Sequence, residues 1–206
     1  MRLSLAIRYF ALFSIAIVAC IGCSRSRSAV DIDGLISRLA SGDLLFRKGT
    51  GVVGNIVTSV DADGSYSHVG IVVESEGEWY VVHAVPHEHD FDGDFDRVKM
   101  EPVENFLGRY PSGDFGHYRP RVSEEQLNIA TKNALRLSQM KVRFDHDYDL
   151  TDTTRLYCTE FVEYVYGLAG VSLSEGRRTE ITFPTLSGAH IMPSDLTKSS
   201  LLEPIY

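Results

Sequence analysis

The sequence predicts an α+β domain in which a small antiparallel sheet or barrel packs against helices. Two stretches in the middle of the chain, "SHVGIVVE" at 67–74 and "EWYVVHAV" at 78–85, are rich in β-branched and aromatic residues and are split by a short turn; this is the signature of a hairpin. The C-terminal part instead repeats apolar residues at helical spacing, with Leu127, Ala130, Ala134 and Leu137 on one face and Phe161, Val162, Val165 and Ala169 on another. At 206 residues, 44% hydrophobic and 23% charged, the chain is globular and long enough for one domain after an N-terminal segment.

That segment reads "MRLSLAIRYFALFSIAIVACIGC". Arg2 and Arg8 precede an apolar run from Tyr9 to Ala19 that is too short to span a bilayer, the pattern of a secretory signal peptide. Its end, Ile17-Val18-Ala19-Cys20, resembles the lipobox of bacterial lipoproteins, in which the cysteine is diacylated and becomes the mature N-terminus. Cys23 is the second candidate for lipidation, and an ordinary cleaved signal is the alternative. The expected organisation is a signal peptide over 1–20, a tether over 21–31 that includes the small polar run "SRSRSAVD", and one domain over 32–206. This places the protein in the bacterial cell envelope, held to a membrane by its lipid.

Within the domain, "DGLISRLASGD" puts Leu35, Ile36, Leu39 and Ala40 on one helical face and stops at Gly42. "DLLFRK" reads as a short strand, "TGVVGNIVTSV" as a short helix or loop, and "DADGS" as a turn. After the hairpin, "RVKME" and "FGHYRPR" read as strands joined by a helix around "VENFLGR". Ser123 and Gln126 form a capping box for a helix running to about Met140. "RFDHDYDLTDTT" reads as a polar loop, and the last helix follows, with Gly170 near its end.

The net charge of −8 is spread along the chain, and no basic cluster carries interleaved aromatics, so nucleic acid is excluded as a partner. The Cys20-x-x-Cys23 spacing suits a redox or metal pair, but its position at the end of a signal favours lipidation. No disulfide framework is available, which leaves Cys158 as a lone thiol outside the cytoplasm.

Cys158 sits near the start of the last helix, after Asp152, Thr153 and Thr154 as candidate caps. Unpaired N–H groups and the helix dipole stabilise a thiolate there and lower its pKa. On helical spacing it shares a face with Phe161, Val162 and Val165, so a cysteine packed in the core has the same geometry. A nucleophilic cysteine needs a base and a group that orients the base. His68 and His83, each inside an apolar strand, are the candidates. "HEHDFDGDFD" alternates carboxylates around Gly93 in a way that suits calcium, but the closing glutamate of a full calcium loop is missing, and a solvated acidic insertion fits better. His117 and His146 receive no role.

In that order, "SHVGIVV", "VVHAV" and "LYCTEFVEYVY" resemble the circularly permuted NlpC-type papain-like hydrolases, the YiiX/YaeF-like group. "SGDLLFR", "FDHDYDL" and "IMPSDLTKSSLLEPIY" extend the resemblance over nearly the whole mature chain. The resemblance implies a papain-like fold, Cys158 as nucleophile, His68 as general base and His83 as the group orienting it. Many members carry an acid at that third position, so His83 is a departure that supplies no fixed negative charge. Ser67 and Tyr157 flank these residues as candidates for lining a substrate channel, with core packing the alternative for Tyr157. The resemblance implies hydrolysis of an amide through a thioester, with cell-wall peptide the leading substrate. The order His, His, Cys also resembles the lecithin–retinol acyltransferase relatives, which act on lipid acyl groups. A non-catalytic lipoprotein binding module on the same fold is the third reading. No metal or cofactor is expected.

Overall fold

The computed structural model describes residues 31–49, 52–61, 64–109, 114–182 and 187–205. The signal peptide, the lipidation candidates Cys20 and Cys23, nearly all of the tether and part of the 61–65 turn lie outside the described residues. Helix α1 (Ile32–Ile36) is capped by the Asp31 carboxylate, which accepts from Gly34 N at 2.9 Å. It ends earlier than its apolar stripe, because the amide of Ala40 is taken by the Asp43 side chain at 2.8 Å. Strand β1 (Leu44–Arg47) and helix α2 (Val52–Val60) follow.

The hairpin forms as expected from β2 (His68–Ser75) and β3 (Glu78–Val85). Glu76 and Gly77 both have positive φ, 54° and 83°, the backbone twist that a two-residue hairpin turn requires. Next come β4 (Arg97–Pro102), α3 (Val103–Gly108), β5 (Phe115–Pro120) and α4 (Glu124–Gln139), the last with its Ser123–Gln126 capping box in place. The polar loop of the sequence opens on a short strand, β6 (Arg143–Phe144), and a second, β7 (Arg155–Leu156), follows directly after it. Each has two residues, too few to show a period. Helix α5 (Cys158–Leu168), β8 (Thr179–Ile181), β9 (Gly188–His190), α6 (Pro193–Thr197) and β10 (Leu202–Pro204) complete the order.

Eight strands form one sheet in the order β10-β5-β1-β2-β3-β4-β6-β7, antiparallel except for the β6–β7 pair. Strands β4 and β5, consecutive in sequence, are separated by three others because α3 carries the chain across one face. On one side Leu44, Phe46, Ile71, Val82 and Val98 pack against Ala130, Ala134, Phe161 and Val165 of α4 and α5. On the other, Leu45, Val72 and Val81 pack against Leu35 of α1 and Phe106 of α3.

Gly70 lies where the hairpin leaves no room for a side chain. A Cβ there would stand 2.3 Å from Val81 Cγ1 and 3.0 Å from His83 Cβ. His117 is structural, its Nε2 lying 2.6 Å from Asp43 Oδ2 and tying β5 to β1. The 87–96 segment is an insertion between β3 and β4, and most of its carboxylates pair with basic side chains rather than with one another. Asp94 pairs with Arg97, Asp90 with Arg97 and Lys99, and Asp96 with His89 and His146. That arrangement is not a calcium loop, and because Asp94 and Arg97 are buried it is not wholly solvated either.

Candidate active site

His68 is the first residue of β2, and His83 lies six residues into β3. The pairing of β2 with β3 brings the rings together, with His68 Nε2 2.8 Å from His83 Nδ1. His83 continues to a residue that sequence reasoning missed: its Nε2 lies 3.0 Å from Oε1 of Glu101, on β4. All three side chains are buried. Phe106 of α3 roofs them, its ring 5.8 Å from His68 and 5.2 Å from His83.

A buried carboxylate needs partners, and Glu101 has them. Arg109 Nη2 donates to its Oε2 at 2.6 Å, and Lys99 Nζ stands 3.8 Å away. Glu88 is held by Arg47 at 2.5 Å and by Arg109 at 2.9 Å. Burial pushes the Glu101 carboxyl up, but the hydrogen bonds from His83 and Arg109 outweigh that and hold it at about 2. Burial pushes His68 well below its ordinary value, and the positive charge of Arg47 adds to that; burial also lowers His83.

The charge of Glu101 favours one arrangement of the ring protons. An ionised Glu101 only accepts, so His83 donates from Nε2. A neutral His83 then offers a lone pair at Nδ1, and His68 must donate to it from Nε2. The remaining nitrogen of His68, Nδ1, carries a free lone pair. The fixed negative charge absent from position 83 is thus supplied one residue further along.

Cys158 is the first residue of α5. The expected caps Asp152, Thr153 and Thr154 do not cap this helix: Asp152 accepts from Thr154 N at 2.9 Å, and Tyr157 is the N-cap. The amide of Tyr157 is satisfied by Glu160 Oε2 at 3.2 Å. The backbone amides of Thr159, Val69 and Cys158 itself favour the thiolate, which sets the sulfur towards the start of β2, where His68 lines the same cavity. Burial nevertheless pushes the thiol up to about 11. This reverses the expectation of a lowered value, because loss of water outweighs the favourable amides. At rest the pair is a neutral thiol beside a neutral imidazole.

Cys158 and His68 line one cavity of about 300 Å³. Ser67 and Tyr157 line it too, although both hydroxyls serve the backbone. Ser67 Oγ accepts from Gly49 N, and Tyr157 Oη accepts from Ile191 N, each at 2.9 Å. Ile56, Val57, Ile181 and Met192 make the walls mostly apolar. His146, which received no role from the sequence, and His190 also line the cavity. Glu101 did leave a signal: Lys99 and Glu101 are alternate charged residues in a strand facing an apolar partner.

The profile of the permuted papain-like amidase enzymes, YaeF/YiiX, C92 family, matches residues 38–202. No curated protein matches the chain. Among solved structures the chain is similar to one titled as metalloprotein yiiX from Escherichia coli O157:H7, at 19% identity and a TM-score of 0.65, over 81% of this chain and 96% of that one. At that identity the likeness speaks for the fold, which is shared. With four-fifths of its length inside the profile and its histidines and cysteine in one cavity, the chain belongs to the C92 family of permuted papain-like amidases.

Proposed function

We propose that the protein is a cysteine amidase in which Cys158 is the nucleophile, His68 the general base, and His83 the residue orienting it under the charge of Glu101. The observation that carries this reading is the chain of contacts Glu101–His83–His68, which leaves a basic nitrogen next to the thiol cavity. His68 Nδ1 takes the thiol proton as the sulfur attacks the amide carbon. The resulting imidazolium then gives that proton to the departing amine, leaving a thioester on Cys158. Water, deprotonated by the same nitrogen, releases the acid and restores the thiol. A non-catalytic binding module has no use for a buried carboxylate that fixes the tautomer of a cavity histidine.

The apolar walls favour a substrate whose acyl side is apolar, which supports the lipid-directed reading over cell-wall peptide. The lipobox-like Ile17–Cys20 supports attachment to an envelope membrane through a diacylated cysteine, with the domain facing the periplasm or the exterior. Among the described residues, no helix is long and apolar enough to cross a membrane.

The yiiX structure is titled a metalloprotein, and His83, Glu88 and Glu101 do bring ligand atoms within 4.8 Å of one another. The set does not suit a metal ion here. Arg47, Arg109 and Lys99 already neutralise both carboxylates, and a divalent cation would sit among three positive charges. No step is assigned to a metal.

The test is hydrolysis of paired anilides, one with a fatty acyl group and one with a cell-wall peptide. Cys158→Ala and His68→Ala are expected to abolish turnover, and the fatty anilide is expected to be the better substrate. Turnover that survives Cys158→Ala would end the amidase reading.

A further inference from the structure

Outside the catalytic contacts, three imidazoles gather round one carboxylate. We propose that Asp96, His89, His146 and His87 bind a borderline divalent transition-metal ion such as zinc, at a site apart from the buried His83, Glu88 and Glu101. The proposal does not depend on the amidase reading above.

The topology brings these residues together from two segments far apart in sequence. Asp96 immediately precedes β4, and His146 lies two residues beyond β6. The β4–β6 pairing sets Arg97 opposite Arg143, and Phe144 N donates to Asp96 O at 2.9 Å. His87 and His89 belong to the insertion before β4, which the Asp96 carboxylate draws inward by accepting from His87 N at 2.7 Å. His89 Nε2 then lies 2.9 Å from Oδ1, while His146 Nε2 and His87 Nδ1 lie 3.0 Å and 3.9 Å from Oδ2. Nitrogen and oxygen ligands at about 2.0–2.2 Å from a tetrahedral zinc stand roughly 3.3 Å apart. The observed spacings bracket that value. As they stand, the rings flank the carboxylate without closing on one point. The side chains of His87, His89 and His146 are 72%, 46% and 55% exposed, so each has room to turn inward.

The charges suit a cation here, as they do not at Glu101. Among the described residues no lysine or arginine pairs with Asp96, whereas Arg97 takes Asp94 and Lys99 takes Asp90. Arg143 and Arg155 border the same cavity of about 580 Å³. Arg155, however, is engaged by Asp147 and Asp152 at 2.7 Å and 3.0 Å, and the Arg143 guanidinium stacks on Phe95. Several imidazoles with a single carboxylate select zinc or a similar borderline ion over calcium and magnesium, which take oxygen ligands. Each ligating nitrogen offers its lone pair, so binding displaces the ring protons that now face the carboxylate. His146 and Phe144 also line the active-site cavity, and an ion held here stands beside it.

Cobalt tests the site without any substrate. The full-length chain, stripped of metal and carrying Cys158→Ser to remove the thiol of the folded domain, is titrated with Co²⁺ and then with Zn²⁺. The expected result is one equivalent of Co²⁺ with strong visible d–d absorption, no thiolate charge-transfer band, and displacement by Zn²⁺. His89→Ala and His146→Ala, both at exposed positions, are each expected to weaken binding by at least about 10²-fold, the upper end of what losing even a ligand's outer partner costs. Only the weak absorption of hydrated Co²⁺ in the parent protein, or unchanged affinity in the two histidine variants, overturns the site. A thiolate band overturns it as well, because it puts the ion on Cys20 or Cys23.

Discussion

His83 Nε2 stands 3.0 Å from Oε1 of Glu101, and this one contact decides which nitrogen of His68 can receive a proton. A carboxylate two side chains from the base acts through two close contacts, the 3.0 Å ion-pair contact with His83 and the 2.8 Å contact between the two imidazoles. Glu101→Gln keeps the shape but removes the charge and allows the amide to present either face. We expect kcat to fall by about 10²-fold or more, with KM little changed, since a misassigned tautomer disables a base without disturbing binding. Steady-state kinetics on the fatty anilide check this, and full activity in Glu101→Gln would remove Glu101 from the mechanism.

The pH dependence should carry the mark of the buried imidazole. Burial and the Arg47 guanidinium hold His68 well below 6.5, so it stays neutral, and able to accept a proton, in mildly acidic solution. Activity is expected to persist as pH falls through 6.5 and to be lost only further down. A pH–rate profile with its acid limb centred near 6.5 would show an ordinary solvated histidine instead.

Glu160, at the first turn of α5, predicts a stability effect. Burial raises its carboxyl from 4.5 to about 8. The folded state therefore binds more protons than the unfolded state between those values, and stability falls as pH rises through that window. Thermal melts from pH 5 to 8 should show this decline, and Glu160→Gln, which still accepts from the Tyr157 amide, should flatten it. Identical slopes in the two proteins would contradict the assignment.

Gly70 couples packing to the site. An alanine there must displace Val81 or His83, whose atoms lie 2.3 Å and 3.0 Å from the new methyl. We expect a loss of about 1–3 kcal/mol from overpacking, together with a fall in kcat, because His83 moves. Denaturant unfolding and kinetics on Gly70→Ala measure the two effects separately.

The hairpin and the long helices were legible because β-branched alternation and the Ser123 capping box are local signals. Cys158, His68 and His83 were legible for a related reason: each interrupts an apolar run. Other features depend on three-dimensional placement. Glu101 joins the site only through the β3–β4 register, and "RVKME" on its own looks like a solvent-facing strand. Strands β6 and β7 are two-residue ladders made by tertiary contact. The thiol pKa was misjudged for a physical reason. A sequence reveals the helix start that favours a thiolate, but not the burial that opposes it, and here burial wins.

The central claim is that Cys158 forms the acyl-enzyme. Rapid acid quenching of the protein during turnover of the fatty anilide, followed by mass spectrometry of the peptide containing Cys158, tests it most directly. The account predicts a mass increase of one acyl group on Cys158 in the wild type and none in His68→Ala. Turnover with no acyl group on Cys158, or with the acyl group on another residue, would contradict it.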